Sequence, residues 1–430
     1  MSKALGLLLL FSLFNFPPAP AGATQNSGDA RAVSKAQWRE DLKYLAAELP
    51  KRHKNAFHTV TRERFERMVA DLDRDITSLQ DHQIVVRMLQ ITAAVGDGHT
   101  YIPLPATFKL FPLQLFWFGD ELRVTHAAEE YKEALGARVQ KIGGVGVEEL
   151  RARLTGAVLS QAEIANKWYV MSNSAVLMTR PEVLHTLGLL PEAGPAPFTF
   201  EDDGGRQFTV GIKLVVPVRD ASGAPRLSLR GAAASDPLFR QRPAESLWHT
   251  YLPDSQTVYF SFRRYPKCGL LGSCQEFEDL MKLVDEKKPA RLVIDLRQNT
   301  GGDSTKVRRG LIPAIKKRPE INQRGRLFVV TGRRTFSAAL WNAIDFKKET
   351  NAVIVGEPPG ERPNSYQEND EMTLPNSRLV VSYSTRYYKL LDEDVPAFMP
   401  DKLIEPNWAD YKAGRDAVMD WILAQGAGGR

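Results

Sequence analysis

Two short stretches of the sequence combine residue types that suit acyl transfer. In the first, Ser337 stands where an apolar, β-branched segment ends and a helical pattern begins. A hydroxyl at a helix N-terminus lies in a field that favours negative charge, which suits a nucleophile or a bound oxyanion. Serine is also a favoured helix N-cap, so the local pattern leaves both roles open.

The second stretch is the glycine pair Gly301–Gly302, which follows an apolar strand pattern over residues 291–296. Glycines let the backbone come close to a ligand and turn its N–H groups outward. Each donor in an oxyanion hole is worth ~2.7–4 kcal/mol of transition-state stabilisation. The N–H of Ala338, next to the serine, is a further candidate donor. A tight turn that requires positive φ is the alternative for the glycines.

A histidine supplies a candidate base. His99 lies in the sequence Gly-Asp-Gly-His-Thr over residues 96–100, which leaves a helical segment. A general base needs a pKa near the working pH, and histidine is the side chain that meets this condition most easily. A turn histidine without a chemical role is the alternative.

The surrounding periodicities predict the elements that position these residues. Apolar residues recur at helical spacing over residues 34–95, which predicts a small helical region. From residue 257 onward, strands that are apolar on both faces alternate with helices, which predicts a parallel sheet covered by helices. In such an α/β fold, reacting groups gather at the carboxyl ends of the strands. Residues 136–150 read as a strand, a glycine turn and a helix start, similar to the second half of a PDZ domain.

These motifs together resemble one family of serine peptidases, which comprises C-terminal-processing (tail-specific) proteases, tricorn core protease and interphotoreceptor retinoid-binding protein. The resemblance is strong over residues 290–404, fair over 35–155 and thin over 156–250. It rests on the loop around His99, the PDZ-like segment and four motifs that occur in the family's order: Asn299-x-Gly301-Gly302, Thr335-x-Ser337-Ala338, Gly356-Glu357-Pro358 and Pro400-Asp401.

The resemblance implies a crotonase-like β/α catalytic core with a helical N-terminal domain and a PDZ-like module. We expect a signal peptide at 1–23, the helical domain at 24–104 and a PDZ-like, β-rich region at 105–235. The catalytic core then covers 236–430. By position, Ser337 is the nucleophile, and the N–H groups of Ala338 and of Gly301 or Gly302 hold the oxyanion.

The family uses two kinds of base. Processing proteases use a lysine, but the matching segment here, residues 360–363, offers Arg362, whose guanidinium stays protonated. The tricorn-like branch uses a histidine and an acid shortly before the Pro-Asp pair, which assigns His99 as the base and Asp394 as its acid.

The supporting acid has alternatives in the sequence. Asp392 and Glu393 stand beside Asp394, and Asp97 can orient His99 directly. Gly98 occupies a position where tricorn-like sites carry a serine.

The expected function is hydrolysis of peptide bonds in peptides or unfolded proteins through an acyl-enzyme on Ser337. Two alternatives stay open: a non-catalytic binder of peptides or apolar ligands on the same scaffold, and an esterase or amidase for small substrates. The PDZ-like module either captures an extended peptide by strand addition or serves as a spacer. No metal or organic cofactor is implied.

Composition bounds the setting of this chemistry. A basic start, a short apolar run and an Ala-x-Ala end predict a cleaved signal peptide, hence a periplasmic or extracellular protein without a later membrane span. In such a compartment Cys268 and Cys274 are expected to form a disulfide, with a metal site as the weaker alternative. The net charge of +6 is spread along the chain, unlike that of a nucleic-acid binder. The sequence does not indicate an oligomeric state.

Overall fold

The computed structural model describes residues 33–219, 225–226, 230–231, 235–267 and 274–425. The predicted signal peptide lies outside these residues, as does Cys268, so both the export signal and the disulfide stay predictions. Cys274 is buried just before a helix. Across the described part of the chain, no helix combines the length and the apolar character needed to cross a bilayer.

The predicted helical region is confirmed as three helices that share a core. They are α1 (Lys35–Arg52), α2 (Arg62–Asp75) and α3 (Asp81–Val95). Ser34 and Thr61 cap the first two helices with their side chains. Helix α3 ends at Gly96, whose φ of 117° suits glycine, and an added Cβ would lie 2.4 Å from Thr59 Oγ1. The chain therefore leaves α3 in a fixed direction, directly into the loop that carries His99.

An antiparallel sheet follows. Its path is β1-β2-β3-β5-β6, with β4 paired to β3 and β9 to β2. The strands are β1 (Leu113–Phe118), β2 (Glu121–Ala127), β3 (Arg138–Ile142), β4 (Val145–Gly146), β5 (Ala196–Glu201), β6 (Gln207–Ile212), a separate pair β7 (Val218–Arg219) and β8 (Pro225–Arg226), and β9 (Arg230–Gly231). The helices are α4 (Val147–Val158), α5 (Lys167–Leu177) and α6 (Pro181–Thr186).

The strand, glycine turn and helix start predicted over residues 136–150 are present as β3, β4 and α4. Gly143 and Gly144 form the turn with φ values of 60° and 86°. The sequence analysis did not find α5 and α6, whose apolar and polar residues lack a clear helical period. The PDZ assignment of this sheet stays a prediction.

A second sheet has the strand order β10-β11-β12-β13-β14-β17, in which only the β10–β11 pair is antiparallel. The strands of this sheet are β10 (Leu247–Leu252), β11 (Thr257–Phe262), β12 (Arg291–Asp295), β13 (Leu327–Thr331), β14 (Val353–Gly356) and β17 (Lys402–Leu403). A separate hairpin lies between β14 and β17 in sequence and consists of β15 (Asn364–Thr373) and β16 (Val380–Lys389). The helices are α7 (Gln275–Lys287), α8 (Ile312–Lys316), α9 (Ala338–Glu349), α10 (Trp408–Lys412) and α11 (Ala417–Ala424).

The central strands β11 to β13 are buried along their whole length. Helices α7, α8 and α9 pack on one face of the sheet, and α11 covers the other. This double covering explains why the strands are apolar on both faces, and it confirms the α/β class. The crotonase-like assignment and the domain boundaries stay predictions.

The β15–β16 hairpin joins the two regions. Met372 and Tyr383 of the hairpin belong to the same apolar core as the N-terminal helices. The buried carboxylate of Asp41, in α1, accepts the N–H groups of Asn376 and Ser377 in the hairpin turn. The hairpin forms a two-stranded ribbon that braces the loop after α3.

A glycine at the end of β14 sets the path toward the candidate site. Gly356 has a φ of 113°, and an added Cβ would lie 2.3 Å from the carbonyl oxygen of Thr331. We expect Gly356→Ala to lower the free energy of unfolding by about 3 kcal/mol or more, because it adds a backbone clash to the strain. Gly205→Ala is the matched control, since Gly205 also has positive φ but open space around its Cβ.

Denaturant unfolding of both variants measures the difference. We expect the control to lose only about 1–2 kcal/mol, the cost of a left-handed non-glycine residue. Equal losses in the two variants would contradict the close approach of β14 to β13.

Candidate active site

Ser337 lies on a strained turn between β13 and α9. Its backbone has φ 53° and ψ −129°, a conformation that is costly for a residue with a side chain. Two hydrogen bonds fasten the turn to the chain that follows β12. Thr335 Oγ1 donates to the carbonyl of Leu296 at 2.8 Å, and the Phe336 N–H donates to the carbonyl of Asn299 at 3.1 Å. The turn therefore holds the serine side chain against the glycine loop.

The structure brings His99 to Ser337 from a distance of 238 residues in sequence. The ring nitrogen Nε2 lies 3.1 Å from Ser337 Oγ, within hydrogen-bond reach. The ring is buried and stacks on Phe336, with 5.1 Å between the ring centroids. The pairing that the sequence analysis predicted is present in the structure.

Asp97 holds the loop that presents this histidine. Its buried carboxylate accepts hydrogen bonds from His53 Nε2 at 2.9 Å, from Ser384 Oγ at 2.6 Å and from the backbone N–H of His99 at 3.1 Å. Burial opposes its ionisation, but the bonds from His53 and Ser384 outweigh burial and lower the pKa of Asp97. Asp97 thus positions His99 through the backbone N–H. The imidazole that donates to the Asp97 carboxylate is that of His53, not that of His99.

Asp97 also lies in a cluster with His53 and His58 whose ligand atoms are within 4.8 Å of one another. His53 Nδ1 accepts the N–H of Asn55 at 2.9 Å, so the ring proton of neutral His53 sits on Nε2 and is donated to Asp97. A metal ion on Nε2 would require removal of that proton and loss of this bond. The hydrogen-bonding pattern therefore favours a structural role for the cluster over metal binding.

The acid beside His99 is Glu361. Its Oε1 lies 3.3 Å from His99 Nδ1, and its Oε2 accepts the N–H of Ser337. Glu361 and His99 are both almost completely buried. At 3.3 Å, Glu361 Oε1 and His99 Nδ1 are within ion-pair range but poorly aligned. Neither of these two atoms makes a hydrogen bond within the described part of the chain. Catalytic hydrogen bonds of this kind tighten when charge develops.

The structure does not bring the predicted acid, Asp394, to the histidine. Asp394 is 65 % exposed and forms an ion pair with Arg362 at 2.8 Å. The spacing before Pro400 was a wrong guide, because that stretch of chain runs along the surface. Glu361 stands in the segment where the sequence analysis sought a lysine, so a search for any buried ionisable residue there would have found it.

The glycine loop faces the serine as predicted. Gly301 and Gly302 have φ values of 110° and 150°, and a Cβ on Gly301 would lie 2.7 Å from the Cβ of Ser337. The N–H of Gly301 donates to Asn299 Oδ1 at 2.9 Å. The N–H of Gly302 is therefore the better oxyanion donor of the pair. That of Ala338 belongs to the first turn of α9 and has no acceptor within the helix.

A second buried carboxyl, Glu163, lies behind Glu361. Its Oε2 accepts the backbone N–H of Arg362 at 2.9 Å, and its Cγ would lie 3.7 Å from a Cβ on Gly98. Glu163 therefore contacts both the acid segment and the histidine loop, and a side chain at Gly98 would meet Phe336 at 2.9 Å. Sequence analysis could not find this residue, because an isolated glutamate between two helices has no recognisable pattern.

Burial governs the charge state of the site. It lowers the pKa of His99 to about 4 and raises that of Glu163 to about 7. Burial, followed by the charge of Glu163, raises the pKa of Glu361 well above its ordinary value. The imidazole is thus neutral at physiological pH, as a general base must be, while the carboxyl beside it favours a proton.

The proton on Glu361 decides which tautomer of His99 is present. For Nε2 to accept the proton of Ser337, the ring hydrogen must be on Nδ1, where it faces Glu361 Oε1. An ionised Glu361 favours this tautomer, whereas a proton on Oε1 favours the opposite one. Deprotonation of the buried acid pair therefore prepares the base.

Comparisons with known proteins agree with this fold. No protein-family model matches the chain, and the search of curated proteins returned no match. Mature CPAF complexed with lactacystin is similar to 90% of this chain and 97% of its own, with a TM-score of 0.59 and 11% identity.

Two further solved structures, both named as proteases, have lower TM-scores. The photosystem II D1 C-terminal processing protease has a TM-score of 0.38 and 11% identity, over 89% of this chain and 98% of its own. Tricorn protease has a TM-score of 0.38 and 14% identity, over 90% of this chain and 36% of its own. The likeness to mature CPAF, with a TM-score of 0.59, shows a shared fold.

The two candidate acids can be separated by matched amide substitutions. We expect Glu361→Gln to lower kcat by on the order of 10³- to 10⁴-fold, because the amide cannot stabilise an imidazolium. Asp394→Asn should stay within about twofold of wild type, since an exposed ion pair contributes little. Steady-state hydrolysis of a peptide pool measures both, and a larger loss in the Asp394 variant would overturn the assignment of Glu361.

Glu163 should act on the pH profile. Glu163→Gln removes a negative neighbour of Glu361 while keeping an acceptor for the Arg362 N–H. The pKa of Glu361 then falls, so the acid limb of kcat/KM should move to lower pH by roughly one unit. A purely structural role would lower activity at every pH without moving the limb.

Proposed function

We propose that the chain is a serine peptidase in which Ser337 is the nucleophile and His99 the general base. The observation that carries the proposal is the 3.1 Å contact between His99 Nε2 and Ser337 Oγ, opposite a glycine turn. The likeness to solved protease structures supports the peptidase class.

In the acylation step, Ser337 Oγ forms a bond to the carbonyl carbon of the substrate as its proton passes to His99 Nε2. Ionised Glu361 stabilises the imidazolium from Nδ1. The N–H groups of Gly302 and Ala338 receive the negative charge on the carbonyl oxygen. Cleavage of the C–N bond then transfers the proton from His99 to the leaving amine.

Deacylation reverses these roles. A water molecule gives its proton to His99 Nε2 and attacks the acyl carbon, and the oxyanion again occupies the glycine turn. Collapse of the intermediate breaks the ester bond, returns the proton to Ser337 and releases the new carboxyl terminus. No metal ion or organic cofactor takes part in these steps.

The proposal includes export to an oxidising compartment, which rests on the leader sequence at residues 1–23 and the cysteine pair. A peptide or an unfolded protein is the proposed substrate. Two alternatives belong to other classes: a binding protein on the same scaffold and a hydrolase of small esters or amides.

A serine-directed fluorophosphonate probe and a peptide library test the proposal together. We expect the wild-type chain to label at Ser337 and to hydrolyse peptides, and Ser337→Ala to do neither. His99→Ala should lose at least about 10³-fold in kcat/KM. His249→Ala, on strand β10, is the matched control and should keep wild-type activity.

Each alternative gives a different result. A binding protein would leave Ser337 unlabelled. A small-substrate hydrolase would be labelled at Ser337 but would cleave only small esters or amides and not the peptide library. Full peptidase activity in Ser337→Ala or His99→Ala would refute the mechanism.

A further inference from the structure

A cavity of about 800 Å³ lies between the antiparallel sheet, the carboxyl edge of the parallel sheet and the C-terminal helices. Its volume is that of a ligand site. Gln298 and Thr300, on either side of Asn299, form part of its wall. None of Ser337, His99 and Glu361 lines it. The cavity is therefore separate from the catalytic contact, although it shares the chain that forms the glycine turn.

The wall of the cavity is rich in arginine. Seven arginines and five acidic residues line it. Three of the arginines are engaged by carboxylates in ion pairs: Arg297 with Asp416, Arg333 with Glu357 and Arg415 with Asp410. These pairs give the wall its shape, and their positive charge is already balanced.

Arg240 is not balanced in this way. Its guanidinium carbon lies 3.9 Å from the centroid of the Tyr411 ring, and among the described residues Arg240 takes part in no ion pair. Burial lowers the pKa of Arg240, and Asp236 acts only from further away. A partly buried cation with no carboxylate close by is incompletely compensated, so an anion that enters the cavity is attracted to it.

A second arginine, Arg263, strengthens the positive field. Arg263 donates to the backbone carbonyls of Phe239 and Arg242, which hold its side chain in place but leave its charge unneutralised. Burial, and then the charge of Arg240, lower the pKa of His126 to about 4, so this wall residue stays neutral. Phe116 and Phe239 add apolar surface. The lining suits an anionic group attached to an apolar or peptide body.

We propose that this cavity binds the carboxylate of a peptide, with Arg240 as its main partner. The carboxylate is that of an acidic side chain within the peptide. The inference takes from the proposed function only that peptides are the molecules the protein meets. Because Gln298 and Thr300 belong to both the cavity and the glycine turn, an occupied cavity also braces the oxyanion donors.

Binding to the full-length Ser337→Ala protein tests the proposal without hydrolysis. The probes are three acetylated pentapeptides of otherwise equal sequence: one with a central Glu and an amidated end, one with a central Gln and an amidated end, and one with a central Gln and a free end. Calorimetric titration should show that the Glu peptide binds at least tenfold more tightly than the neutral peptide. A gain that appears only in the free-end peptide would overturn the proposal, because the cavity would then select a chain terminus.

Substitutions then locate the site. In the Ser337→Ala background, Arg240→Gln should abolish the tenfold preference. Arg206→Gln removes the same charge from an exposed arginine paired with Asp202, and it should leave the preference unchanged. Arg264 also lines the cavity. If Arg240→Gln fails to fold in a thermal melt, Arg264→Gln should reduce the preference.

Equal binding of all three peptides overturns the proposal, and so does a preference that survives both cavity substitutions. These outcomes are distinct from failure of the proposed function. That failure appears as absent hydrolysis in the wild-type chain, whatever the peptides do in the Ser337→Ala protein.

Discussion

The candidate site depends on one partly buried contact between residues 238 positions apart in sequence, the 3.1 Å approach of His99 to Ser337. Neither side chain reaches its position through the contacts of its own segment alone. The serine needs the strained turn after β13, and the histidine needs a loop that leaves α3 in the correct direction. The β15–β16 hairpin connects these requirements, because the hydroxyl of Ser382 donates to the carbonyl of His99 at 2.9 Å. The helical region is therefore a structural part of the candidate active site.

Burial has two opposite consequences for this site. It keeps His99 neutral, which a base requires, and it also favours a protonated Glu361, which would reverse the histidine tautomer. Arg362 does not stabilise ionised Glu361, because its guanidinium points away and donates to Asp394 and to the carbonyl of Ala162. Backbone N–H groups, at Ser337 for Glu361 and at Arg362 for Glu163, stabilise the carboxyl groups instead. The protonation of Glu361 and Glu163 in this buried pocket thus controls whether His99 can accept the proton of Ser337.

The sequence was informative where function depends on local backbone geometry. The glycine pair, the serine before a helix and the glycine-flanked histidine each have a pattern that a single strand-to-helix or helix-to-loop junction explains. The apolar strands of the parallel sheet were predictable for the same reason. Glu361 and Glu163 were not, because their roles arise from burial between segments distant in sequence, and a glutamate on a loop is usually a solvated residue. Asp394 was selected by spacing from a motif, and spacing cannot tell a surface loop from a buried one.

A crystal structure of the protein with a peptide boronic acid tests the central claim most directly, because boron forms a tetrahedral adduct with an activated serine. The account predicts a covalent bond from boron to Ser337 Oγ, one boronate oxygen within hydrogen-bond distance of the N–H groups of Gly302 and Ala338, and His99 Nε2 beside the adduct. A boronate that binds elsewhere, or an adduct with the imidazole of His99 out of reach, would contradict it.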